Sequence, residues 1–489
     1  MDHSQLERLR FRRQYILAPS AFECPFLCNK RKVTNHYLLY THIDLPVSEY
    51  TEKDLKLILL GDMFDYENAQ KENEDILRDL ADQKFDGFVD VYSKYSGRYV
   101  LIYIQKDQIY LFHDATAARK IFYCSQNDGL WFGSQPHLLA KILDLKRTAD
   151  PTKLSFYSSK AFTWLNNSNV GDTTIYDEIR QLMPNHYFNI NVGSVNRYWP
   201  YSVLMPQSYQ QVAERCSAMI KGYIESIASR YEIMIPITAG KESRMLAAGS
   251  RELKDRVYYY INKEASFSKY HQDLLIPRNL FRKLNIDFHI LDIYDEIDKD
   301  FRSVYFDNNP YASEFFLPHI FNYYQHFSEK VNLPGNIASS GCEFCNLKEE
   351  EVTPESLAKK FRLIEFEYAL NYLQDWFKSC EHICKKYNIK KISLYYWEER
   401  MGNWGGQIQL EKDIAQEEFN PFNSRLLIKE FLTVDIQYRR KPTYILQKEI
   451  VRILWPELLD QPINPMIYRV MKKAMKMSRL DKYFNSSIA

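Results

Sequence analysis

The chain has no uninterrupted apolar run that approaches the length of a membrane span, so no transmembrane helix is expected. It also lacks an apolar stretch behind the charges of Met1-Asp-His-Ser-Gln-Leu-Glu-Arg-Leu-Arg-Phe-Arg-Arg13. That pattern predicts no secretory signal and a cytoplasmic protein. Excess charge is missing too: the formal net charge is +1, with Lys and Arg interspersed among Asp and Glu. Bulk electrostatics therefore gives no reason to expect nucleic acid or an anionic membrane as partner. Cysteine is scarce at eight residues in 489, too few for a disulfide framework and suited to a reducing compartment. No internal repeat or low-complexity tract is evident.

Two short cysteine pairs, Cys342-Glu-Phe-Cys345 and Cys380-Glu-His-Ile-Cys384, have the four thiolates that a tetrahedral zinc site requires. They lack the turn glycines of zinc knuckles, and residues 366–387 read as a helix, so buried free thiols are the competing reading. Cys24 and Cys28 bracket Pro25-Phe-Leu27 and read as packed. Aromatic residues are abundant at 15%, with 37 Tyr, and clusters such as Tyr258-Tyr-Tyr260 read as strand.

The length allows two or three domains. Up to about residue 150, strand-like runs such as Tyr99-Val-Leu-Ile-Tyr-Ile104 alternate with turns such as Asn127-Asp-Gly129, predicting an antiparallel sheet with few helices. Residues 151–204 carry loop chemistry, Asn166-Asn-Ser-Asn-Val-Gly-Asp172 and Met183-Pro-Asn-His186, and read as a connector. From about 205 the texture becomes α/β. Helical spacing covers 210–229 and 270–284, and strands are predicted at 232–237, 256–261 and 288–291, which predicts a parallel sheet covered by helices. Beyond 300 the chain reads as mostly helical, and the tail at 469–482 as a basic amphipathic helix with a solvated face.

The feature with the most chemistry is Thr238-Ala-Gly-Lys-Glu-Ser-Arg244, a short small-residue loop between the apolar run Tyr231-Glu-Ile-Met-Ile-Pro-Ile237 and Met245-Leu-Ala-Ala248. Small residues let backbone N–H groups approach phosphate oxygens, and the following helix aims its positive end at the same anion. Ile237, Thr238, Ala239, Gly240, Lys241, Ser243 and Arg244 are the candidate ATP-binding residues. Glu242 is a candidate magnesium ligand through oxygen. In a parallel sheet this loop lies at the carboxyl ends of the strands, where ligands bind.

The loop resembles the Ser-Gly-Gly-x-Asp-Ser pyrophosphate loop of the asparagine synthetase family. Tyr95-Ser-Gly-Arg-Tyr-Val-Leu-Ile-Tyr103, Leu111-Phe-His-Asp-Ala-Thr-Ala-Ala-Arg-Lys-Ile-Phe-Tyr123 and Leu130-Trp-Phe-Gly-Ser-Gln-Pro-His-Leu-Leu139 resemble the second half of that family's glutaminase domain. Arg197-Tyr-Trp-Pro200 is similar to its closing Tyr-Trp, and Asn420-Pro-Phe-Asn-Ser-Arg-Leu426 to the family's Pro-Phe-Leu-Asp segment. The resemblance implies an N-terminal antiparallel glutaminase-like domain of the N-terminal-nucleophile type at 1–150, the connector, and an ATP-binding synthetase domain at 205–489. It implies adenylation of a small-molecule or peptide carboxylate, capture by ammonia or another amine donor, and ATP and Mg2+ as cofactors. A homodimer is an admissible assembly.

Departures from the pattern matter as much. The family's glutaminase nucleophile is a Cys exposed by removal of Met, and here Asp2 follows Met1, so no glutamine hydrolysis is expected. Glu242 stands for the family's Asp. Asp273 resembles the acidic residue after the second strand and is a candidate substrate residue, with a helix N-terminal carboxylate as the plain reading. The family's second acidic loop matches Leu333-Pro-Gly-Asn-Ile-Ala-Ser-Ser-Gly-Cys-Glu343 in two registers, one of which keeps Glu343 as catalytic metal ligand. The lysine of the family's Arg-Pro-Lys-x-Gly-Phe has no match in Pro456-Glu-Leu-Leu-Asp-Gln-Pro-Ile-Asn-Pro465. Lys441 and Lys448 are the candidate replacements, and Arg400 is a second candidate substrate residue. Two alternatives stay open: a non-catalytic nucleotide-binding or scaffold protein, and another pyrophosphatase-loop enzyme such as a tRNA-thiolating one, for which Cys342 and Cys345 are the suggestive feature.

Overall fold

A computed structural model describes residues 1–465, apart from 84, 265, 266, 269, 293–295 and 342–346. Glu343, Cys342, Cys345 and the basic tail lie outside the described residues, and the zinc reading with them. Cys380 and Cys384 are buried free thiols on the helix Glu367–Tyr387.

In the N-terminal half, strands with apolar residues at every position are buried on both faces. Ile58 and Leu60 point into one cluster, Leu57 and Leu59 into another, and Val100 and Ile102 alternate with Leu101 and Tyr103 in the same way. The result is four layers. Two six-stranded sheets share a core of Leu17, Leu39, Ile58, Ile102, Leu111 and Phe132. The helix Asn73–Ala81 covers the outer face of one sheet and Pro136–Leu143 that of the other. The stretch read as a connector does more than connect. Its short strands Arg180–Gln181, His186–Asn189 and Ser194–Arg197 pair into these two sheets, so the antiparallel layers run to Arg197. Their brevity and Asn-rich turns hid them from a pattern search.

After the helix Tyr209–Arg230 the chain forms a four-stranded parallel sheet in the order His289–Asp292, Tyr258–Lys263, Ile233–Pro236, Val331–Asn332. The alternation read from the sequence produces this sheet. The chain lays its strands outward from Ile233–Pro236 on one side and then returns to place Val331–Asn332 on the other. A crevice therefore opens at the carboxyl ends of these two neighbours, the topological switch point where open α/β sheets bind ligands. The helices Tyr209–Arg230 and Ile445–Leu454 pack with the helix Lys241–Gly249 beside it. Among the described residues no helix is long and apolar enough to cross a membrane.

The two halves meet through charges taken out of water. Arg98, 1% exposed, bonds Asp413 through both terminal nitrogens at 2.5 and 2.9 Å and Glu417 at 2.6 Å. Arg119 reaches Glu417 at 2.9 Å, Arg13 donates to the Asp413 carbonyl at 2.6 Å, and the Gln14 amide donates to the Asp413 carboxylate at 2.8 Å. Next to this cluster, Asn423 of the Pro-Phe-Asn-Ser segment donates to the Gly97 carbonyl at 2.7 Å and to Asp114 at 2.9 Å, and accepts from the Thr116 hydroxyl at 3.0 Å. Gly97 is obligatory there: its φ is +133°, and a Cβ would stand 2.1 Å from the Asp62 carbonyl oxygen.

Substituting Arg98 by Met leaves two carboxylates buried with less compensation, and a loss of about 3–5 kcal/mol in denaturant unfolding is expected. Burial would raise the Glu417 carboxyl, but the charges of Arg119, Arg98 and Arg13 bring it down to about 2, from an ordinary 4.5. The folded state then binds fewer protons than the unfolded state between those values. Glu417 contributes stability that is complete above pH 4.5 and is lost as pH falls toward 2. An acid-unfolding series in which Glu417→Gln shows a shallower slope in that window checks the assignment.

Candidate functional site

The loop follows the buried strand Ile233–Pro236, and Ile237 continues it by donating to the Tyr260 carbonyl at 2.7 Å. Thr238 and Ser243 close the turn. The Thr238 N–H donates to Ser243 Oγ at 3.1 Å, the Gly240 N–H donates to Thr238 Oγ1 at 3.0 Å, and the two hydroxyls lie 3.1 Å apart. The Ala239 N–H donates to Asp273 Oδ1 at 2.8 Å, which brings the first turn of the helix Gln272–Lys283 onto the loop. The Ala239 carbonyl in turn accepts from the Asn464 N–H at 2.9 Å. Asp273 is thus both a helix N-terminal carboxylate and a loop contact.

The helix Lys241–Gly249 begins at the loop, with Gly240 as its cap residue. Lys241 is buried, donates to Glu242 Oε1 and stands 5.4 Å above the ring of Tyr444. Glu242 Oε1 also accepts from Ser339 Oγ at 2.9 Å. Burial raises the Glu242 carboxyl, yet the Lys241 charge and the hydrogen bonds of Lys241, its own backbone and Ser339 leave it below the usual carboxylate value. It is an ionised carboxylate at neutral pH. Its Oε2 lies over the loop, 3.5 Å from where a Cβ on Gly240 would stand.

Ser339 comes from the loop after Val331–Asn332, on the far side of the switch-point crevice. Gly335 in that loop is pressed against Glu242, and this contact closes the two loops into one wall. Tyr396 hydrogen-bonds Ser339 and begins a ten-residue π-helix, Tyr396–Gly405. One turn on, Arg400 stacks 4.4 Å over Trp404 and has no hydrogen bond or ion pair among the described residues. Burial lowers its pKa. Asn403 and Trp404 each bury one polar atom, Oδ1 and Nε1, without a hydrogen-bond partner among the described residues. π-Helical turns are rare and occur frequently at functional sites.

The other sequence candidates fall elsewhere. Arg244 is fully buried and spends its guanidinium on the carbonyls of Leu458, Gln461 and Pro462, so it ties the later chain to the helix. Its spacing after Ser243 placed it a full turn inside the helix, away from the loop amides. Lys441 and Lys448 are both solvent-exposed. Lys441 lines a separate cavity of about 670 Å3 with Lys348, Lys390 and Arg440, and Lys448 lies on Ile445–Leu454. The buried cation at the loop is Lys241. Sequence reasoning missed Ser339, Gly335, Tyr396 and Tyr444. Ser339 and Gly335 lay within the quoted acidic-loop segment, and Tyr396 is one turn before Arg400, but no pattern pointed to Tyr444.

No protein-family model matches the chain, and no curated protein matches it. Among solved structures, similarity is found to glutamine phosphoribosylpyrophosphate amidotransferase from B. subtilis complexed with ADP and GMP. Identity is 9% and the TM-score 0.26, over 61% of this chain and 90% of that one. An allosteric regulatory enzyme of purine biosynthesis shows 8% identity and a TM-score of 0.26, over 73% and 83% of the two chains. Glutamine-dependent NAD+ synthetase from Acinetobacter baumannii in complex with ADP shows 9% and 0.21, over 65% and 69%. Likenesses this slight carry no inference about activity.

A Cβ at Gly335 would stand 2.9 Å from Glu242 Cβ and 3.2 Å from Leu246 Cδ1. Gly335→Ala is expected to cost about 1–3 kcal/mol of stability, read by thermal unfolding.

Proposed function

We propose that the chain is an ATP-dependent ligase that adenylates a carboxylate, captures the adenylate with ammonia or another amine and releases AMP and pyrophosphate, without hydrolysing glutamine. The observation that carries the reading is the meeting of two loops at the switch point. A small-residue loop and helix start stand on one side, a Ser-bearing loop on the other, and an ionised carboxylate is held between them. The resemblance of Thr238-Ala-Gly-Lys-Glu-Ser243 to a pyrophosphate loop agrees with that position. Beside the same wall Arg400 adds a cation with no acceptor among the described residues, suited to an anionic substrate group.

The residues present fit Mg2+, which binds through one or two carboxylates together with substrate phosphates. Glu242 supplies an ionised oxygen over the loop. Bound there, the metal would neutralise phosphate charge. Thr238, Gly240 and Ser243 frame the phosphate side, and Asp273 must leave the Ala239 N–H for a phosphate oxygen to take it.

A second reading, a nucleotide-binding or scaffold protein without turnover, has one observation in its favour. Arg244 fills the space toward Pro462 with carbonyl contacts, and no lysine stands in that segment. A tRNA-modifying role has the balanced net charge against it.

Incubation with ATP, Mg2+ and a panel of acids and amines should release pyrophosphate, and a panel that stays silent while ATP binds selects the scaffold reading. Glu242→Ala is expected to abolish Mg2+-dependent ATP binding by calorimetry. Affinity unchanged by that substitution would take the loop out of the site.

A further inference from the structure

Among the described residues, the nearest cation to Glu242 is its own sequence neighbour. Side chains one position apart on a helix point roughly 100° apart and do not normally meet, yet Lys241 bends back across the first turn to reach Glu242 Oε1. The pair is not a surface accident. The Lys241 side chain is 9% exposed and its ammonium stands over Tyr444, while the Glu242 carboxylate is fixed by Ser339 from the opposite loop and backed by Gly335. An aromatic face and a carboxylate together make a cage for one positive charge. The carboxylate so occupied is the one positioned for a divalent ion.

From this geometry we infer that Lys241 is a tethered cation that occupies Glu242 in the empty site and changes partners when nucleotide arrives. The inference rests on the nucleotide-binding reading above. In the empty state the ammonium neutralises Glu242 and keeps bare divalent ions off it. When a metal–phosphate complex enters, the metal takes the carboxylate oxygen and the ammonium moves to phosphate oxygens. No bond forms or breaks and charge is conserved: one cation on the carboxylate is exchanged for another, and the displaced one gains an anion. Lys241 then supplies from inside the loop the positive charge that neither Lys441 nor Lys448 brings there.

Lys241→Met separates this role from ordinary structural support, because the exchange predicts opposite effects on two ligands. Removing the ammonium frees Glu242, so Mn2+ alone, followed by electron paramagnetic resonance without nucleotide, should bind the variant at least tenfold more tightly than wild type. Mg2+–ATP, followed by calorimetry, should bind at least tenfold more weakly. Lys241→Arg, which keeps the charge, should restore the exclusion of Mn2+, and Lys241→Met/Glu242→Gln should abolish the gained site. Mn2+ affinity that is equal in wild type and Lys241→Met overturns the exchange, as does a variant that loses both ligands while its thermal unfolding is unchanged. Wild type that binds no nucleotide overturns the ligase reading instead, and the Mn2+ comparison still decides whether Lys241 guards Glu242.

Discussion

Three arginines from the N-terminal half and two carboxylates from the C-terminal half meet where water does not reach, and this fixes how the halves dock. An ion cluster of this kind gains little net stability over an apolar interface, because each charge loses its hydration. What it supplies is uniqueness: any other docking leaves Arg98, Asp413 or Glu417 buried without a partner. The same surface holds Arg425, 1% exposed, which bonds Asn185 and stacks on Tyr198. The Pro-Phe-Asn-Ser segment lies in the same surface and ties the halves together through Asn423.

This docking reaches the candidate site through the π-helix. Its first residues are tied to the N-terminal half: Trp397 donates to the Ala115 carbonyl at 2.7 Å, and Glu398 is held by Arg197 and Asn185. Its later residues carry Arg400 and Trp404 beside the loop wall. The N-terminal layers therefore hold the start of the π-helix that carries Arg400. A rigid support matters for Arg400, whose guanidinium has no hydrogen bond or ion pair among the described residues.

The parallel half was legible because buried strands and amphipathic helices alternate at full length, and periodicity survives any ligand chemistry. Short strands such as Arg180–Gln181 were not, because two residues cannot show a period. The loop was legible as an anion cradle from its small residues, with Lys241 and Arg244 as its cations, while Lys441 and Lys448 were the candidates for the family's later lysine. The pairing of Lys241 with Glu242 was not legible, because it joins neighbours at a spacing that helical geometry ordinarily makes unproductive. The run Glu411-Lys-Asp-Ile-Ala-Gln-Glu-Glu418 hid the interface for a similar reason. A dense charge run reads as a solvated face, and only the fold reveals that it is buried.

Within that run, identical carboxylates are shifted in opposite directions. Glu417 faces guanidinium groups and stays charged. Glu411 is raised by burial to about 7, and its hydrogen bonds come from neutral groups: Gln407 at 3.0 Å on Oε1, the Tyr305 hydroxyl at 3.0 Å on Oε2, and the Ser313 backbone. Tyr305 also lies 3.1 Å from the Ser313 carbonyl, and its one proton cannot serve both acceptors. A proton on Glu411 resolves the conflict, since the acid then donates to the tyrosine oxygen and the tyrosine donates to Ser313. The same run thus holds Glu417 charged against its arginines and shifts Glu411, which accepts from neutral donors, toward the protonated acid.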